Sequence, residues 1–266
     1  MKPVTFLVVL GLLFCAADVH ALDLNMTKEE KSLTANVGTG LFITTWGVLF
    51  WDYGKHSPRW GGERWFQKDT SEGGADKLAH LYANYAITHG FSYLYEKWGY
   101  DHEKASLYGA LSALGWMSFM EIGDSFSDFG FSYEDMVMNV VGSGLGYLIY
   151  RYPEVARKID VRIEYSPNFK ESDIFTDYGH MKFLVAAKLD GFDSITNKYL
   201  KYMDIQLGYY TRGFSEENGI KTRNIYVGVG INLSKIFNQL AYPKLASFFN
   251  YYQAPFTYVS HRRELK

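Results

Sequence analysis

The chain has 266 residues, of which 47% are hydrophobic and 18% aromatic, enough to bury one large core or two modest ones, and this excludes a disordered chain. With 27 Lys and Arg against 29 Asp and Glu the formal net charge is -2, and no basic run supplies the electrostatic footprint that nucleic acid requires. Nucleic acid is therefore excluded as a partner.

Residues 1–21, MKPVTFLVVLGLLFCAADVHA, hold one early lysine, an apolar stretch from Val4 to Ala17, and Val19 and Ala21 in the small-x-small pattern that precedes cleavage. They predict a secretory signal peptide; read instead as an uncleaved anchor, the stretch is short for a membrane span. The single cysteine, Cys15, follows Phe14, whereas lipid attachment needs a small residue at that place, so the sequence argues against a lipid anchor. Cleavage after Ala21 leaves no cysteine, and hence no disulfide or thiol nucleophile.

Four runs then carry no Asp, Glu, Lys or Arg: Ser32 to Trp51, Leu78 to Tyr95, Ala105 to Met120, and Met136 to Tyr150. At 20, 18, 16 and 15 residues they straddle the roughly 20 apolar residues of a bilayer span. They are rich in Gly, Ser, Thr and Asn, which lets helices approach closely, as the pair Gly142 and Gly146 illustrates. The expectation is a four-helix, membrane-associated bundle over residues 32–152, although a water-soluble aromatic bundle suits the shorter runs equally. Lysine and arginine counts in the connections favour neither side of a membrane.

From Asp160 the period changes to two. In YMDIQLGYYTR, Met203, Ile205, Leu207 and Tyr209 face one way and Asp204, Gln206, Gly208 and Tyr210 the other; NIYVGVGINLS repeats the alternation. VRIEYS and MKFLVAAKL are the other strand candidates, and Asn218-Gly219 suits a hairpin loop. About four strands are too few to close a barrel within one chain, so the expected fold is α+β, the bundle followed by a small antiparallel sheet over residues 160–235. Its apolar face would lie on the helices or on a lipid surface, with a homo-oligomeric barrel as the alternative. The aromatic segment 236–266 reads as an interfacial stretch or as cover for the sheet edge.

Polar side chains recur at helical spacing inside the uncharged runs. Asp76 and His80 sit four apart, so they share a helix face, and Asp135 and Asn139 repeat the spacing on the fourth helix. Glu121 caps the end of the third helix, between them in sequence. With neighbouring helices, the five side chains would converge at one end of the bundle. Helix starts account for the placement of Asp76 and Asp135, but not for His80 and Asn139 one turn deeper. His89, about 180 degrees around the helix from His80, belongs to another face. Asp124 and Asp128 fit solvated acids or cation ligands. GSGLG follows no strand and reads as close helix packing, and no serine elbow occurs.

This order, DKxxH, an isolated Glu with nearby Asp, then DxxxN and a glycine-rich helix, resembles the YfiM-like family of bacterial envelope proteins from Gly74 to about Gly146, and more distantly the VanZ-like membrane proteins. The YfiM-like resemblance continues through QLGYYTRG and YVGVGINLS. It implies an exported envelope protein of unassigned activity. Many relatives are lipoproteins, from which the Phe14-Cys15 context departs.

The cluster has three chemical readings. Asp76, His80, Glu121 and Asp135 would hold a divalent Mn, Fe, Mg or Zn ion, with Asn139 as a carbonyl ligand or behind the ligands. Alternatively, Asp76 and His80 would form an oriented general base with Glu121 as acid, in hydrolysis of an envelope lipid or peptidoglycan precursor. In the third reading the residues form a hydrogen-bonded network that fixes helix order. The leading expectation is the third: a structural or envelope-maintenance component, periplasmic or associated with the outer or inner membrane, whose partners are membrane lipid or envelope components.

Overall fold

A computed structural model describes residues 26–166, 174–214 and 219–266. The signal peptide, Cys15 and the Asn218 of the hairpin loop lie outside the described residues. The chain divides into two compact units. The first takes the residues up to Glu63 and Ala83–Arg151; the second takes Arg64–Tyr82 and the described residues from Tyr152 onward except Ile174.

The first unit contains helices α1 (Lys28–Phe50), α3 (His102–Asp124), α4 (Tyr133–Arg151) and all but the first turns of α2 (Ala75–Lys97). Each expected run thus becomes a helix that outreaches it by a few residues, because the bracketing polar groups serve as caps and first turns. At α1, Thr27 Oγ1 accepts from the Glu30 amide at 3.2 Å while Glu30 Oε2 accepts from the Thr27 amide at 2.7 Å, a reciprocal capping box. Asp101 caps α3 through the Lys104 amide at 2.9 Å, and Ser132 Oγ accepts from the Asp135 amide at 3.2 Å ahead of α4.

Inside this unit the packing is small and polar. Asn84, Thr88 and Ser92 on α2, Ser106 on α3, and Asn139 and Ser143 on α4 are buried. Gly109 lies so close to α2 that a Cβ there would stand 2.1 Å from Ser92 Oγ, and one at Gly146 would stand 2.7 Å from Thr88 Cβ. Asn36 fastens α1, donating to the Tyr95 hydroxyl at 2.8 Å and accepting from Trp116 Nε1 at 2.8 Å. Apolar side chains are divided: Phe91, Tyr95, Met117 and Ile149 are buried, while Leu33, Val37, Leu41 and Leu49 on α1, Leu111 and Ile122 on α3, and Val140 and Leu148 on α4 are exposed. Among the described residues only α1 is both long and apolar enough to cross a membrane, with just 11% of its apolar window buried.

The second unit is built on one antiparallel sheet in the order β1 (Ile159–Tyr165), β2 (Met181–Lys188), β3 (Met203–Arg212), β4 (Thr222–Ile231) and β5 (Tyr258–Leu265). A short helix α5 (Pro153–Ala156) precedes it, and α6 (Leu233–Gln239) and α7 (Pro243–Phe248) separate its last two strands. The four expected strands are present and β5 is a fifth. The C-terminal aromatic segment also covers the outer edge of β1: the Ile163 amide donates to the Tyr251 carbonyl at 2.9 Å, and the Gln253 amide to the Ile163 carbonyl at 2.9 Å.

The two-residue alternation holds, but with the polar side inward, and the helix-packed apolar face is corrected on this point. Val185, Leu207 and Val227 are cross-strand neighbours, as are Ile205 and Val229, and all five are exposed. The other face buries Asp160, Arg162, Asp204 and Gln206. Arg162 there donates to Asp204 Oδ2 at 2.7 Å and to Asp160 Oδ2 at 2.7 Å, while Lys188 Nζ reaches Asp160 Oδ1 at 2.6 Å. Two cations against two carboxylates leave the buried charge balanced, which is what makes a polar interior tolerable.

Candidate cation centre

The start of α2 is set by two glycines in the left-handed region, Gly73 at φ 63° and Gly74 at φ 85°. The rings of Phe214 and Phe66 fill the space where their side chains would stand, so only glycine fits this turn. Thr70 Oγ1 accepts from the Gly73 amide at 2.9 Å and the Tyr209 hydroxyl donates to the Gly73 carbonyl, fixing the turn within the second unit. Asp76 consequently enters in the first helical turn, and His80 follows one turn later. Asp76 is buried and pairs with Lys77, whose Nζ lies 2.8 Å from Asp76 Oδ2 and whose side chain is 0% exposed. His80 is partly exposed.

In the first unit, α4 begins behind Ser132 and places Asp135 in its first turn and Asn139 in its second. Asn84 Nδ2 donates to Asn139 Oδ1 at 2.6 Å, and Ser143 Oγ donates to Asn84 Oδ1 at 2.9 Å. The carbonyl oxygen of Asn139 is thereby engaged by α2, which suits orientation of the helices better than metal ligation. A carboxylate oxygen of Asp135 lies within 4.8 Å of one from Glu121 and of one from Glu63. Glu121 and Asp135 are buried and Glu63 is partly exposed.

Glu121 does not cap α3, as the sequence led us to expect, but sits inside its last turn, followed by one further residue pair and Asp124. That is the negative end of the helix dipole, and the turn contains no basic residue to offset it. Tyr53 covers this end. Its hydroxyl donates to the Met120 carbonyl at 3.0 Å, and burial first, then the Asp124 charge, raises its pKa well above the ordinary tyrosine value. Two carboxylates about 4.8 Å apart repel by about 3 kcal/mol at an effective dielectric near 20. Glu63, Glu121 and Asp135 together form a candidate cation site.

The other polar candidates have structural partners. Asp128 pairs with His56 at 2.7 Å and lies 3.7 Å from Arg59. His89 donates from Nε2 to the Gly146 carbonyl at 2.9 Å, with its ring against Tyr85, away from the carboxylates. GSGLG is helical throughout, and Gly142 and Gly146 are buried in it. Glu63 and Lys77 were not singled out from the sequence. Glu63 precedes α2 in an irregular segment with no periodicity to mark it, and Lys77 looks like an ordinary surface lysine beside an acid.

Among the expected residues, Glu121, Asp135 and Asn139 fall in the first unit together with Glu63, and Asp76 and His80 fall in the second. Residues 62–151 match the DUF2279 family, described as predicted periplasmic lipoproteins. The matched segment holds Glu63 and all five expected residues, and the similarity fits an exported envelope protein of unassigned activity. No curated protein and no solved structure matches the chain.

Proposed function

We propose that this is a lipid-embedded envelope protein in which a divalent cation, held by Glu63, Glu121 and Asp135, fixes the helices of the first unit in register. The observation that carries this reading is the gathering of Glu63 and Glu121 within 4.8 Å of Asp135. Three carboxylates are an oxygen donor set suited to Mg or Mn.

Helix register is fixed within the first unit. Helices α2 and α4 run in the same direction, joined by Asn84 and Asn139 at a sequence offset of 55, His89 and Gly146 at 57, and Glu96 and Tyr150 at 54. The narrower likeness to YfiM-like and VanZ-like proteins is carried by DKxxH, Glu121 and DxxxN.

The lipid part of the proposal rests on both units presenting many aliphatic side chains outward while burying polar groups beside aromatic ones. Water offers no reason for that arrangement, whereas hydrocarbon rewards it, because backbone contact and buried polar partners are what hold helices together there. At 1.5 Å per residue α1 is about 34 Å long, enough for a hydrocarbon core of about 30 Å.

The test is elemental mass spectrometry of the protein extracted from envelopes in mild detergent, with Glu121→Ala and Asp135→Ala alongside. The expected result is near-stoichiometric metal, lost in both variants while they remain folded. Absence of metal from the wild type, with unstable variants, overturns the cation and leaves a hydrogen-bonded network. Hydrolysis of an envelope lipid that is lost in folded Asp135→Ala would move the protein into the metal-dependent hydrolases.

A further inference from the structure

The polar face of the sheet is open at one end, where a pocket of about 370 Å³ is lined by Glu164, His180, Lys182, Arg212, Phe256 and Tyr258, all within the second unit. Its cations are unequally satisfied. Lys182 Nζ is held by Glu164 Oε1 at 2.7 Å and the Tyr258 hydroxyl at 2.8 Å, and His180 Nδ1 by Asp177 Oδ1 at 2.5 Å. Arg212 differs. It donates to the carbonyls of Thr211 at 2.6 Å and Met181 at 3.2 Å, and among the described residues it has no carboxylate within salt-bridge distance.

The surroundings add positive charge. The Arg212 guanidinium lies 4.7 Å from the Tyr210 ring centre, Lys182 Nζ lies 5.5 Å from the same centre, and Arg262 donates to the Tyr210 hydroxyl at 3.5 Å. Three cations thus surround one aromatic ring, against Glu164 already paired with Lys182 and Asp177 already near His180. Burial draws the pKa of Arg212 below its ordinary value, the mark of a guanidinium short of solvent. A planar guanidinium held at one nitrogen and stacked on a ring keeps its remaining N–H groups for a tetrahedral oxyanion.

The mouth is apolar and strained. Phe256 is 101% exposed and sits in the left-handed region at φ 63°, a conformation unfavourable for a bulky side chain. It is held by its flanks: Gln253 Nε2 donates to Thr257 Oγ1 at 2.7 Å, and Thr257 Oγ1 to the Ala254 carbonyl at 2.6 Å. A loop that spends strain to show a ring beside a cationic pocket matches a ligand with an anionic head and an apolar body.

We propose that this pocket binds the phosphate of an anionic phospholipid, with Arg212 on the phosphate and Phe256 among the acyl chains. The choice of a lipid over a free phosphate ester rests on the lipid-embedded reading above; the anion chemistry does not.

The test is calorimetric titration of the full chain in detergent with dihexanoyl phosphatidylglycerol, dihexanoyl phosphatidylcholine and glycerol 1-phosphate. Saturable binding of the phosphatidylglycerol is expected, at least tenfold tighter than either other probe. It should weaken by on the order of tenfold or more in Arg212→Gln and recover in part in Arg212→Lys, since charge-assisted bonds are the strong ones. Phe256→Ser should weaken the lipid and leave glycerol 1-phosphate unchanged. Unchanged binding by folded Arg212→Gln, or no saturable binding of any probe, overturns the site. Equal binding of glycerol 1-phosphate and the lipid overturns the lipid assignment. Flotation with phosphatidylcholine vesicles reports separately on the embedded reading: failure to float overturns that reading, and with it the lipid source, while the titration still decides the anion site.

Discussion

Asn84 on α2 and Asn139 on α4 meet amide to amide at 2.6 Å, both fully buried, in the middle of a helical unit whose outer surface is apolar. With Ser143 donating to Asn84 on the other side, the pair fixes the axial register of two helices that run in parallel. Asn139→Ala should lower unfolding stability in detergent by about 1–2 kcal/mol, because Asn84 loses its acceptor. The Asn84→Ala/Asn139→Ala double variant should lose less than the two singles added together. Additive losses would show that the contact carries no coupling.

Close backbone approach makes a sharper contrast. Gly146→Ala puts a Cβ 2.7 Å from Thr88 Cβ, neither of which can swing away, so a loss of about 1–3 kcal/mol is expected. Gly144, two residues earlier on the exposed side of the same helix, has nothing within 4 Å of an added Cβ. Gly144→Ala should therefore gain about 0.5–1 kcal/mol from helix propensity. Thermal unfolding of both variants in one detergent checks the pair.

In the sheet, Arg162→Met leaves Asp160 with Lys188 and Asp204 with only the Gln206 amide, and a buried charge stranded in this way costs about 3–5 kcal/mol. Adding Asp204→Asn restores the charge balance and should recover more than half of that loss. Chemical unfolding of the single and double variants decides; no recovery would mean that the geometry of the Arg162 fork, and not the charge count, holds the interior.

The outer sheet face gives a direct reading of its surroundings. Val227 is 57% exposed within the chain. Facing water, Val227→Lys should change stability by no more than about 0.5 kcal/mol. Facing hydrocarbon, it should cost about 2–4 kcal/mol in vesicles, and that is the expected result.

The helices were legible because charged residues bracket each run, and those same residues turn out to be caps and first turns, as at Asp101 and Glu30. The strand faces were legible as an alternation, but which face is inside is not a property of the period. It is decided by whether Arg162, Asp160, Asp204 and Lys188 find one another, and their partners come from three different strands. Strand β5 was hidden because YVSHRREL carries His261, Arg262, Arg263 and Glu264 and reads as a solvated tail. It is exposed along almost its whole length, and charge is what an edge strand uses to discourage further pairing. Of the carboxylate cluster, Asp135 and Glu121 stood out as lone acids in apolar surroundings; Glu63 did not, since its place depends on how the chain from Trp60 is pinned by the Gly61 amide to the Phe131 carbonyl at 2.8 Å.

The outward turn of the aliphatic side chains has a calorimetric consequence. The heat capacity of a chain rises on unfolding chiefly because apolar surface is newly wetted, at about 0.45 cal/mol/K per Å². Here much of that surface is already outside in the native state, on α1, on α4 and along Val185, Leu207 and Val227. In a fixed detergent the heat capacity increment should fall well below the roughly 12–15 cal/mol/K per residue usual for globular domains, and the temperature profile of stability should be correspondingly flat. A molecule held by contact between backbones, and not by flight from water, has little reason to loosen in the cold.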